Sequence, residues 1–232
     1  MKEGIKLLKS MGMNPPETVP EQIKAESAME IQKRERQNQE DVKRQKYFKD
    51  TIPERYRDIE VKDLIINDEN KDQIFQVKEW ISSFKKGTWL VFSGAQGTGK
   101  TLLKNLIIKE LYNRHGIKTL SHKMYSIYIK YIDSIKNGNT EAYLNELTSY
   151  DAVAIDEIGR KELTQALHDF FFEFVDLMYE KKKTLILCSN LPVKNRDDNS
   201  TNKTISDYID LERLREAGTL IPMIGDSFRG KK

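Results

Sequence analysis

Gly94-Ala95-Gln96-Gly97-Thr98-Gly99-Lys100-Thr101 is the stretch from which the rest of the chain can be read. A glycine, four residues and then Gly-Lys-Thr is the spacing of a phosphate-binding loop, in which successive backbone N–H groups turn toward phosphate oxygens. Lys100 adds a mobile positive charge, the Thr101 hydroxyl is a ligand for Mg²⁺, and the following helix turns its positive dipole end toward the anion. Gln96, Gly97, Thr98 and Leu102 complete the expected ATP/ADP-binding set. At Gly94 and Gly99 a Cβ is expected to crowd the nucleotide. The flanks fit the motif. Trp89-Leu90-Val91-Phe92-Ser93 is a continuous apolar run, as in a strand buried on both faces of a parallel sheet. Leu102, Leu103, Leu106, Ile107 and Leu111 then recur at helical spacing.

Beyond this unit the chain alternates. Helices are expected over 71–86, 124–135, 140–147 and 163–180, with strands over 117–122, 151–155 and 184–189. Strands separated by helices imply a parallel sheet with helices on both faces, an α/β fold. The sequence divides into an amino-terminal arm over 1–50 and a nucleotide-binding domain over 51–232. In the arm, Asn14-Pro15-Pro16 ends a short first segment, and 21–49 reads as a charged helix with few apolar residues and no core of its own, a docking arm in character, with a solvated or partly disordered tail as the plain alternative. With 232 residues and a formal charge of +3, the composition permits nucleic-acid contact without demanding it. A single cysteine, Cys188, excludes an internal disulfide and a cysteine zinc cluster. With no membrane-length apolar run and no signal-peptide pattern, a cytoplasmic protein is expected.

Two further strand ends carry chemistry. Ala152-Val153-Ala154-Ile155-Asp156-Glu157 is an apolar strand closing on two carboxylates. Asp156 is placed to hold Mg²⁺ through its water shell and Glu157 to polarise the water that attacks the γ-phosphate; one carboxylate does not serve both tasks. Thr184 to Ser189 is another apolar strand, and if it lies between the other two, Asn190 faces the γ-phosphate as a sensor of nucleotide state.

With these elements placed, the chain resembles the AAA+ ATPases of the DnaC and DnaI helicase-loader type, related to the transposition ATPase IstB. The resemblance rests on Ile-Pro-Glu-Arg-Tyr at 52–56, the loop at 94–101, Ile-Asp-Glu-Ile-Gly at 155–159, Ser-Asn-Leu at 189–191, Glu-Arg-Leu-Arg-Glu-Ala-Gly at 212–218 and Asp-Ser-Phe-Arg at 226–229. It implies an AAA+ P-loop NTPase without a carboxy-terminal lid domain. Arg213 is similar to an arginine finger reaching a neighbouring subunit's ATP site, with Arg215 as its alternative, which requires self-association. Arg229 resembles a second arginine that senses nucleotide, and Ile52 and Tyr56 are implied to lie near the adenine ring. Met178-Tyr179 departs from the Arg-Tyr common in relatives. No cysteine precedes Cys188, so the zinc site of some loaders has no counterpart.

Lys123, Tyr125, Tyr128, Lys130 and Tyr131 interleave rings and ammonium groups on one expected helix, a mixture that suits single-stranded DNA; half-buried packing of the tyrosines is the plain alternative. The function implied is an ATP-dependent loader of a DnaB-type replicative helicase onto single-stranded DNA. An IstB-like transposition helper, a small-molecule P-loop kinase and a hydrolysis-poor adaptor are the alternatives.

Overall fold

The structure, a computed structural model, describes residues 10–11, 21–160, 164–192 and 203–225, with residues 21–28 described by backbone alone. The chain divides into two compact units, Met1–Phe48 and Lys49–Lys232. The first is dominated by helix α1 (Glu21–Thr51), a continuous helix as its charge-rich sequence predicts. Met29, Ile31 and Val42 are exposed along it, while Tyr47 and Phe48 near its end are half-buried.

The second unit is built on five parallel strands: β1 (Trp89–Gly94), β2 (Thr119–Lys123), β3 (Ala152–Ile158), β4 (Thr184–Ser189) and β5 (Gly218–Met223), in the order β2-β3-β4-β1-β5. Helices α2 (Lys71–Ser82), α3 (Lys100–His115), α4 (Met124–Lys136), α5 (Thr140–Ser149), α6 (Gln165–Glu180) and α7 (Leu211–Ala217) connect and cover them. The pleat sends alternate side chains to opposite faces. Trp89, Val91, Val153, Ile155, Leu185 and Leu187 enter one cluster with Phe170, Phe171 and Phe174 of α6 and with Met124, Ile127 and Leu144 of α4 and α5. Their neighbours Leu90, Phe92, Ala154, Ile186 and Cys188 are fully buried as well. This double burial is why β1 and β4 read as unbroken apolar runs.

Strand β5 is not among the expected strands. It pairs with β1 alone and forms an edge of the sheet. An edge is where Pro222, which has no N–H for a ladder, is tolerated. Helix α7 was not among the expected helices either; the other strands and helices fall where the pattern puts them, within a few residues at their ends.

Register decides one glycine. Gly94 lies opposite Met223, and a Cβ built on it would sit 2.2 Å from the Met223 carbonyl oxygen. The crowding expected from nucleotide at this position therefore comes first from protein backbone. That oxygen belongs to a paired strand and cannot turn aside, so Gly94→Ala is expected to cost about 1–3 kcal/mol, read as a lowered midpoint in thermal or urea unfolding. At Gly99 nothing lies within 4 Å of such a Cβ; the requirement there is its φ of +92°.

Candidate functional site

The carboxyl ends of β1, β3 and β4 converge on a cleft of about 360 Å³. From β1 come the loop residues Gln96, Gly97 and Gly99 and, at the start of α3, Lys100, Thr101 and Leu102; from β3 come Asp156 and Glu157; from β4 comes Asn190. The strand order puts β4 between β1 and β3, the condition under which Asn190 was expected to face the site. Tyr56 lines the cleft, together with Arg55, Ile59 and Arg160, which the sequence reading did not single out. Ile52 does not. It is 1% exposed, and its carbonyl accepts a hydrogen bond from Arg57 Nε at 2.9 Å. Thr98 is also buried, its hydroxyl donating to the Ala95 carbonyl at 3.0 Å.

Lys100 folds back over its own loop, Nζ donating to the carbonyls of Gly94 at 2.7 Å and Ala95 at 2.6 Å. The two carboxylates sit on an irregularity in the sheet. Ile155 pairs with Leu187 but Ile158 with Ser189, so two residues of β3 face one of β4. Glu157 takes up the excess with a left-handed φ of 62°, uncommon for a residue with a side chain. The bulge separates the pair: Asp156 stays buried while Glu157 is part-exposed at the cleft.

Their partners differ accordingly. Asp156 Oδ1 accepts the Glu157 N–H at 2.8 Å, and Oδ2 pairs with Lys104 Nζ at 3.2 Å. Glu157 Oε1 meets two cations, Lys123 Nζ at 3.0 Å and Arg160 at 2.9 Å. Partial burial raises the Glu157 pKa, but hydrogen bonds and charge from Lys123 and Arg160 outweigh it and hold the carboxyl below its usual range. The Thr101 hydroxyl and the Asp156 carboxylate, two oxygen donors among the residues lining the cleft, fit the hard-ligand preference of Mg²⁺.

A second cavity of about 160 Å³ adjoins the loop at Thr98, Gly99 and Leu102, lined also by Leu64, Ile65, Ile74, Leu103 and Met223. Its apolar walls beside Thr98 and Gly99 suit a planar base. The short run Leu64-Ile65-Ile66 between two helices was the signal that could have found it.

Arg213 lies on α7 and does not line the cleft; it is ion-paired with Asp176 and stands over the Tyr179 ring, 5.4 Å from its centroid. Arg215 on the same helix is exposed. Arg229 lies outside the described residues. Of the interleaved set, Tyr131 stacks on Phe170 with ring centroids 4.1 Å apart and Tyr128 packs against the core, so the packing reading holds for these two. Tyr125 and Lys130 are exposed, and Lys123 reaches from β2 to Glu157.

Parallel strands in this order, a phosphate loop after β1 and a carboxylate pair on β3, two strands away, define a P-loop nucleotide-binding fold of the AAA+ class. The IstB-like ATP binding protein model matches residues 23–232, and the chain belongs to that family. It is similar to the ATP-binding protein of insertion sequence IS232 from Bacillus thuringiensis subsp. berliner, 30% identical over 149 residues, covering 61% of this chain and 56% of that protein. It is also similar to the chromosomal replication initiator DnaA of Bacteroides fragilis, 32% identical over 104 residues, 44% of this chain and 21% of DnaA. The chain thus spans about half or less of these relatives' lengths. Among solved structures, the DnaC helicase loader matches with a TM-score of 0.63 at 16% identity, over 74% of this chain and 100% of that one. DnaI matches at 0.60 and 16%, covering 75% and 95%. DnaA bound to AMPPCP and single-stranded DNA matches at 0.59 and 21%, covering 75% and 51%. At these identities the structures establish the fold. Among the described residues no helix is long and apolar enough to cross a membrane.

Proposed function

We propose that this protein is an ATP-controlled loader that holds a DnaB-type replicative helicase through its amino-terminal arm and engages single-stranded DNA with its AAA+ domain. In the cleft, the loop N–H groups and Lys100 bind the phosphates, and Glu157 takes the proton of the attacking water. Asn190 orients that water or the γ-phosphate. Thr101 and Asp156 would hold Mg²⁺, which would supply neutralising charge to the phosphates. Arg213, or its neighbour Arg215, completes the site of an adjoining subunit.

The observation that carries the reading is Lys123, which ties the hydrolytic Glu157 to the foot of α4, where Tyr125 and Lys130 are exposed. A DNA phosphate competing for Lys123 and a base stacking on Tyr125 would remove one of the two cations held on Glu157, leaving Arg160 as its partner, so DNA would raise the hydrolysis rate. Single-stranded DNA is therefore expected to raise a slow ATPase rate several-fold, and Arg213→Ala to abolish that rise. The Arg215→Ala variant distinguishes the two arginines. Phosphate transfer to a nucleoside or metabolite would sink the reading in favour of a kinase. Co-purification with a DnaB-type helicase, with and without residues 1–50, tests the arm; binding that survives the deletion removes its docking role.

A second reading, a transposition helper, is favoured by the IS232 relative and by the family itself. Stimulation of the ATPase by a transposase in place of a helicase would select it.

A further inference from the structure

Helix α3 delivers two lysines toward the nucleotide end of the sheet. Lys100 belongs to the phosphate loop. Lys104 lies one turn further along the same face and has no part in the chemistry above. It is 4% exposed, with its ammonium 3.2 Å from Asp156 Oδ2 and 3.3 Å from the Ser121 hydroxyl of β2. Asp156 is hardly more open, its side chain 9% exposed. A charge pair this buried is little screened by salt.

We propose that Lys104 is a positioning residue that acts through Asp156 as a built-in counter-charge, so that this chain holds nucleotide with little dependence on Mg²⁺. The inference rests on the reading that the cleft takes ATP or ADP. Its sign follows from charge. A divalent cation is drawn to the site by net negative charge, and an ammonium against Oδ2 cancels much of what Asp156 offers. A nucleotide polyanion, in contrast, gains from the same ammonium whether or not a metal accompanies it. Both effects narrow the difference between affinities with and without Mg²⁺. Ser121 and the Glu157 N–H, which occupy the outer sides of the pair, hold it in register.

The test is titration of the full chain with a fluorescent mant-ADP probe, in millimolar Mg²⁺ and in EDTA, for the wild type and for Lys104→Met, Lys104→Gln and Lys104→Arg. Glutamine keeps a donor for Asp156 and Ser121 without the charge and guards against a Met variant that fails to fold. The wild-type ratio of Kd in EDTA to Kd in Mg²⁺ is expected below about 10, rising at least ~10-fold in the two neutral variants and holding in Lys104→Arg. Neutral variants within about twofold of the wild-type ratio, an arginine variant that behaves like them, or a wild-type ratio above ~100 would each overturn the proposal. Wild-type protein that binds no probe in either buffer would overturn the ATP reading itself, and this inference with it.

Discussion

Glu157→Gln is expected to leave ATP bound and to slow its hydrolysis by about 10²- to 10⁴-fold, the contribution of a positioned general base. The amide keeps the shape of the side chain and loses the capacity to accept a proton. It also gives up the ion pairs with Lys123 and Arg160, but both cations are 60% exposed, and pairs of that kind contribute little to stability. The variant should therefore melt with the wild type. Single-turnover phosphate release, beside equilibrium titration with nucleotide, separates the two effects. Hydrolysis that persists within about tenfold of wild type would remove Glu157 from its assigned role.

The second large effect concerns stability. Asp156 is assigned to the metal, and a variant at such a position is ordinarily expected to be catalytically impaired yet folded. Here Asp156→Asn also strands the buried ammonium of Lys104 without a counter-ion. Breaking a buried pair from one side costs about 3–5 kcal/mol, which in a domain of this size is a fall in melting temperature of roughly 10 °C. The double variant Lys104→Met/Asp156→Asn removes both charges and should recover most of the loss, because the cost lies in the orphaned charge. Thermal unfolding of the two single variants and the double variant measures this coupling directly. An Asp156→Asn protein that melts with the wild type would mean that the pair contributes nothing.

Legibility in the sequence followed the range of the interactions. The phosphate loop, β1, β3 and β4 were readable because each is a local string: glycines at fixed spacing, or apolar runs of strand length. Asn190 was readable only on a condition, the strand order, which the structure supplies. Strand β5 escaped because Pro222 argues against a strand until one knows that it lies on an edge. Lys104 escaped for a related reason. Between Leu103 and Leu106 a lysine reads as the solvent side of an amphipathic helix, yet α3 is covered on that side too. Lys109 is likewise buried, its ammonium donating to the carbonyls of Arg57 and Ile59, and desolvation lowers its pKa. Tyr131 escaped in the other direction: its ring suits a nucleobase, and a distant phenylalanine takes it instead.

Cys188, one residue from the end of β4, is fully buried, and desolvation raises its thiol pKa well above the usual range. Reagents that alkylate thiols attack the thiolate form at an accessible sulfur, and this sulfur offers neither. As the sole cysteine of the chain, it leaves the wild-type background silent to maleimide chemistry. A cysteine introduced on α1 or on the exposed face of α4 would therefore take a dye at one known position, with no need to strip native thiols first. Changes around that dye on adding nucleotide or DNA could then be followed by fluorescence in an otherwise unaltered protein.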